Sequence, residues 1–189
     1  MLKMFTTQLM GLFKKISESE EFSFEDGARL LAQAPSGDGT IYIWGAREMK
    51  AVEFEAVEGA EPLKSAKELT AEKETLLTNT DRVLIFSRNA HDEAAVALAE
   101  RLQEKFIPFV AVSTVLDSAA GGESELADVS AGSLPALADV HIDLQLTKGL
   151  LPDDEGNRYG YPSAMAGLFV YYGLKFTIEE ILADYEDEE

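Results

Sequence analysis

The stretch from Val83 to Val112 limits what this chain can fold into more than any other part of it. Val83-Leu84-Ile85-Phe86 is a short apolar run that ends in the turn residues Ser87-Arg88-Asn89-Ala90-His91-Asp92. A helical pattern follows from about Glu93 to Lys105, with Ala94, Ala97, Leu98 and Leu102 on one face, and then a second apolar run, Pro108-Phe109-Val110-Ala111-Val112. Apolar runs without polar alternation suit strands covered on both faces. A helix between two such strands makes a crossover, which sets them parallel and side by side.

The same grammar recurs on either side. Thr40-Ile41-Tyr42-Ile43-Trp44 reads as a buried strand ending at Gly45, and Met49, Val52, Ala56 and Val57 mark the helix after it. A further short strand is expected near Val140-His141-Ile142-Asp143. The pattern predicts an α/β protein with three layers, α/β/α, around a doubly wound, mostly parallel sheet of flavodoxin or Rossmann type.

Two helices precede the first strand, at about residues 4–34. Phe5, Leu9, Leu12, Phe13 and Ile16 keep the rhythm of one amphipathic helix, and a second covers Phe24 to Ala34 before Pro35-Ser36-Gly37-Asp38-Gly39 breaks it. Residues 117–133, rich in Gly, Ser and Ala, read as loop, and residues 148–162 as irregular chain. Ser163 to Leu174 is an apolar helix, and Phe176 to Tyr185 closes the chain ahead of an acidic tail at about 184–189. With no linker and no tandem repeat, residues 1–189 are expected to form a single domain.

Charge narrows the partners. The formal net charge is −19, which repels nucleic acid and anionic membrane, so neither is an expected partner. The acidic tail is expected to be solvated, a partner-binding role being the alternative. The chain has no cysteine, hence no disulfide, thiolate nucleophile or cysteine-ligated metal. It has no apolar run long enough to cross a bilayer and no recognisable signal peptide, which predicts a cytoplasmic protein.

In open α/β sheets ligands bind beyond the carboxyl ends of the strands. Gly45-Ala46-Arg47-Glu48 and Ser87-Arg88-Asn89-Ala90-His91-Asp92 are the two candidate turns, each preceding a helix whose free amides attract an anion. Each also holds an arginine able to grip a phosphate or carboxylate with paired hydrogen bonds.

The order of elements and these turns resemble the SIS (sugar isomerase) domain of phosphosugar isomerases and phosphosugar-sensing regulators. Ile85 to Glu93 resembles the family's Ser-x-Ser-Gly-x-Thr-x-Glu phosphate loop, Ala138-Asp139-Val140-His141-Ile142 its third-strand Ala-Asp-x-x-Ile stretch, and Gly160-Tyr161-Pro162-Ser163 the segment after it. The chain is similar to phosphoheptose isomerase-like members in particular. The resemblance implies an SIS-like fold, a small anionic sugar or sugar phosphate as ligand, no cofactor, and a homodimer; the two histidines, far apart in sequence and without a nearby ligand cluster, make no metal motif. It also implies that Gly45, Arg47, Ser87, Arg88, Asn89 and Ser163 bind the ligand, with His91 and Glu58 as acid–base groups of an aldose–ketose isomerisation.

Departures from the pattern keep a rival reading open. The family's first loop reads Gly-x-Gly-x-Ser, but here it is Gly45-Ala46-Arg47-Glu48-Met49. In the second loop Ala90 stands at the glycine and Asp92 at the threonine. Asp92 at a helix start is a good N-cap, which would put the protein's own charge where a phosphate would bind. A non-catalytic interaction module is therefore the alternative function. A dinucleotide-binding enzyme fits least, since the Gly-x-Gly-x-x-Gly fingerprint is missing. His141, inside a strand, is expected to be structural. Asp153-Asp154-Glu155-Gly156-Asn157 lacks the spacing of a calcium loop.

Overall fold

The apolar runs become strands whose side chains alternate between two cores. In the computed structural model, which describes residues 1–116 and 132–187, β1 (Ile41–Gly45), β2 (Ala66–Glu68), β3 (Arg82–Asn89), β4 (Phe109–Thr114) and β5 (Val140–Asp143) form one five-stranded sheet. Its order is β2-β1-β3-β4-β5 and every pairing is parallel. Ile41, Ile43, Leu84, Phe86, Val110 and Val112 enter one core, while Val83, Ile85, Phe109 and Ala111 enter the other. This period of two is what a pleated sheet covered on both faces requires.

Helices α2 (Glu21–Ala32), α3 (Lys50–Glu58) and α7 (Ser163–Asp187) cover the first face, and α5 (Glu93–Glu104) and α6 (Leu134–Leu137) the second, while the short α4 (Ala71–Glu74) lies between β2 and β3 in the chain. The layers are thus α/β/α and doubly wound, as the sequence predicts. The strand order reverses direction between β1 and β3. Such an order leaves a crevice at the carboxyl ends of those two strands.

Helix α1 (Leu2–Ser19) buries Leu9, Leu12 and Ile16, and its Phe13 ring stacks on Phe169 of α7 at 4.5 Å. Of the expected loop at residues 117–133, residues 117–131 lie outside the described residues. Three details differ from the sequence reading. The edge strand β2 is not anticipated, because Ala-Lys-Glu carries no apolar alternation and is held by backbone pairing to β1. The helix starting at Ser163 does not stop near Leu174 but runs unbroken to Asp187. Gly173 is absorbed in its interior where the Phe24 ring of α2 packs against it, leaving no room for a Cβ. Within residues 148–162 the chain forms a short antiparallel ladder, β6 (Leu151–Pro152) with β7 (Arg158–Tyr159). Asp153 closes its turn by accepting the amides of Glu155 at 2.9 Å and Asn157 at 2.7 Å, so this acidic cluster spends its carboxylate on its own backbone.

Candidate functional site

The crevice at the reversal point is built from the two turns singled out in the sequence. β1 ends at Gly45, whose amide donates to Oε2 of the buried Glu53 at 2.8 Å. The same carboxylate accepts Lys50 Nζ at 2.7 Å, which ties the end of β1 to the first turn of α3. A Cβ at position 45 would collide with the Met49 carbonyl, so only glycine permits this close return of the chain. Between them Arg47 stands in the left-handed region at φ 52° and opens a 3-10 turn, Arg47–Met49.

On the facing side, β3 leaves its register with β4 between Phe86 and Asn89. Ser87 is fully buried there and donates its hydroxyl to the Asn89 carbonyl at 3.0 Å, which shapes the turn from within. The Ala90 amide then bonds the Thr114 carbonyl of β4 at 3.0 Å. Asp92 caps α5: its Oδ1 accepts the Ala95 amide at 3.1 Å.

The two turns enclose an open cavity of about 730 Å³, lined among others by Trp44, Arg47, Arg88, Asn89, His91 and Asp92. Both arginines line it, and the guanidinium of each meets a carboxylate of the protein. Arg88 grips Glu48 through Nε at 2.6 Å and Nη2 at 2.9 Å, and these hydrogen bonds hold the Glu48 carboxyl below its ordinary pKa. Arg47 donates Nε to Asp92 Oδ2 at 3.3 Å, with its side chain 75% exposed. Each arginine keeps an edge open. Nη1 of Arg88 and both Nη atoms of Arg47 have no partner among the described residues.

Of the expected ligand-binding residues, the fold gathers Gly45, Arg47, Arg88 and Asn89 around this cavity, with His91 beside them. Ser87 lies beneath it. Ser163 is the first residue of α7, only 2% exposed, and does not line the cavity; its Oγ has no partner among the described residues. Glu58, the last residue of α3, is exposed and also lies outside. His141 sits in β5, where Ser113 Oγ meets its Nε2 at 2.8 Å and burial lowers its pKa to about 4. It is a neutral structural histidine. The sequence reading missed Glu48 and Glu53. Lys50 and Glu53, three apart on one helix, gave the only local hint. No group of three or more potential metal ligands occurs among the described residues.

Comparison with known proteins decides the family. Residues 1–182 match the family described as "Domain of unknown function (DUF2529)". The chain belongs to this family. A relative in Bacillus subtilis (strain 168), "Uncharacterized protein YwjG", is 43% identical over 185 residues, covering 98% of this chain and 99% of the relative.

Solved structures show what fold the DUF2529 chain has. It superposes on the Vibrio vulnificus NanR protein complexed with ManNAc-6P with a TM-score of 0.65 at 12% identity, over 96% of this chain. The chain spans only 63% of the NanR length. It superposes on a phosphoheptose isomerase from Neisseria gonorrhoeae with a TM-score of 0.62 at 13% identity, over 93% of this chain and 95% of the isomerase. At these identities the likeness is one of fold, and the fold is that of the sugar isomerase domain. No described helix of this DUF2529 chain is long and apolar enough to cross a membrane.

Proposed function

We propose that this chain is a sugar-phosphate-binding protein of the sugar isomerase fold, one that holds its ligand between β1 and β3 without isomerising it. The observation that carries the reading is Arg47. A non-glycine residue at φ 52° costs about 1–2 kcal/mol relative to ordinary backbone, and such strain clusters at functional sites. Here the strained residue lines the cavity, and its guanidinium, held to Asp92 by Nε alone, keeps both Nη atoms open.

The sugar isomerase fold supports the ligand class. NanR, which shares it, was solved with ManNAc-6P, a phosphorylated sugar. Arg47 and Arg88 offer open N–H edges to a phosphate, and Asn89 and His91 line the same wall for hydroxyl groups. The Asp92 cap limits the pose. Because its carboxylate takes the Ala95 amide and places a negative charge at the start of α5, the anion is taken by the guanidinium groups and not by the helix end.

Binding without turnover is supported by the separation of the two acid–base groups expected from the sequence. Moving a proton between adjacent carbons of a sugar requires a base and an acid at the reacting atoms. His91 is at the cavity, but Glu58 is not. The second reading, an interaction module with no ligand, is favoured by the carboxylates already facing both arginines.

Thermal-shift measurement with a panel of hexose and heptose phosphates separates these readings. A ligand at a hundred times its Kd should raise stability by about 2.7 kcal/mol. Arg88→Ala and Arg47→Ala should abolish the shift. Proton NMR in D2O should show no exchange at C2 of the bound sugar. No shift with any sugar phosphate would leave only the module reading, and C2 exchange would restore the isomerase.

A further inference from the structure

We propose a second anion-binding site, separate from the β1–β3 cavity, between α1 and the chain that joins β5 to α7. Its ligand class is a small phosphate-type dianion. A cavity of about 230 Å³ lies there, lined by Gln8 and Lys15 of α1 and by Thr147, Lys148, Gly149 and Arg158 among others. It is smaller than the usual pocket for a drug-sized ligand, which sets its occupant at the scale of a single anionic group.

Its charge is unlike the rest of the molecule. The chain has 35 acidic and 16 basic residues, yet this lining contains Lys15, Lys148 and Arg158 and not one carboxylate. Many cations elsewhere are paired with carboxylates: Arg29 with Glu25, Arg47 with Asp92, Arg88 with Glu48, Arg101 with Glu74, Lys175 with Glu179. Lys15 and Lys148 have no acidic partner among the described residues. Like charges gathered without a counter-charge repel one another, and a dianion between them removes that cost.

The geometry supplies a fixed element as well as loose charge. Arg158 donates Nε to the Gly149 carbonyl at 2.9 Å and Nη2 to the Leu150 carbonyl at 3.1 Å, which anchors its guanidinium plane against the loop. Its Nη1 has no partner among the described residues. The amides of Thr147, Lys148 and Gly149 likewise donate to no acceptor among the described residues. Successive free amides beside an anchored guanidinium are a common way to hold phosphate oxygens. Gln145, also in the lining, donates its side-chain amide to Asp143 Oδ2 at 3.2 Å and reaches Glu20 Oε1 at 3.5 Å.

The test is a titration of inorganic phosphate, followed by backbone amide NMR, with sodium chloride at matched ionic strength as the control. The amides of Thr147, Lys148 and Gly149 should shift with phosphate and not with chloride. The double variant Lys15→Ala/Lys148→Ala should weaken that response at least tenfold, and Lys148→Arg should keep it. Arg88→Ala, which disables the β1–β3 cavity, should leave it unchanged, so the two sites fail independently. Repeating the titration with glycerol phosphate distinguishes free phosphate from the head of an ester as the preferred source, and a response to either supports the site. Shifts confined to residues 45–92, shifts reproduced by chloride, or an unaltered response in the double variant would overturn it.

Discussion

In the β1–β3 cavity Arg47 and Arg88 each end on a carboxylate, Asp92 and Glu48, whereas the cavity beside α1 collects Lys15, Lys148 and Arg158 with none. The first is built on two strand ends held by buried hydrogen bonds, with a glycine packed against backbone. The second rests on exposed lysines and one anchored arginine. Rigid placement and free charge have thus been separated in this molecule. An anion entering the first cavity must replace contacts already made, so its affinity depends on geometry. One entering the second meets uncompensated charge, so its affinity should depend on ionic strength. In a chain of net charge −19, long-range steering of anions works against both, and local arrangement decides.

The contrast breaks first if the floor of the β1–β3 cavity is soft. Gly45→Ala places a methyl group against the Met49 carbonyl and the Lys50 amide, neither of which can swing aside as a side chain would. Overpacking against backbone should cost about 3 kcal/mol or more. Urea denaturation measures it, and a cost below about 1 kcal/mol would show a site no more rigid than the lysine cavity.

His141 asks whether that rigidity reaches β5, the strand whose end leads into the second cavity. Its pKa is lowered by burial from 6.5 to about 4. Between those values the unfolded chain binds the proton and the folded one does not, so stability falls as pH drops from 6.5 towards 4. The full loss is about 3 kcal/mol, at roughly 1.4 kcal/mol for each pH unit. His141→Gln should flatten this limb of the stability–pH curve. An unchanged slope would mean that β5 opens to solvent.

How much of this was legible beforehand follows from where the information lies. Val83 to Phe86 and Phe109 to Val112 announce themselves because both faces of each strand are buried. Gly45, Arg88 and Asn89 could be placed at one site because strand ends in a parallel sheet converge. β2 could not be read, since an edge strand of Ala66, Lys67 and Glu68 is stabilised by backbone bonds that any residue can make. Nor could the neutralisation of the arginines: Glu48 and Arg88 lie 40 residues apart, and Arg47 and Asp92 lie 45 apart. Asp92 is instructive. Its capping role was legible as one of two readings, and the fold supplies it with both the Ala95 amide and the Arg47 guanidinium. The second cavity was invisible, because Lys15, Lys148 and Arg158 become neighbours only once α1 packs beside β6.

Asp92→Ala should move stability and binding in opposite directions. Loss of the cap costs about 1 kcal/mol. It also frees the Ala95 amide, removes a negative charge from the start of α5 and releases Arg47, so phosphate affinity in the β1–β3 cavity should rise about tenfold. Calorimetric titration with a sugar phosphate checks the gain. If affinity is unchanged while stability falls, the cavity does not bind its anion at these arginines, and the contrast between the two sites loses its first term.

The smallest effect concerns Arg47 itself. Arg47→Gly removes the cost of holding an L side chain at φ 52°, about 1–2 kcal/mol. It also gives the unfolded chain the extra freedom of glycine, which takes back about 0.5–1 kcal/mol. The net gain should be about 0.5–1 kcal/mol, visible as a small rise in the urea midpoint with an unchanged slope. The open Arg47 edge is lost in the same step, so sugar-phosphate binding should weaken while the fold strengthens. A residue kept for packing would show no such trade, and a side chain that is 75% exposed buries little. If Arg47→Gly is stabilised and binds as well as the wild type, the strain at this position serves something other than the ligand.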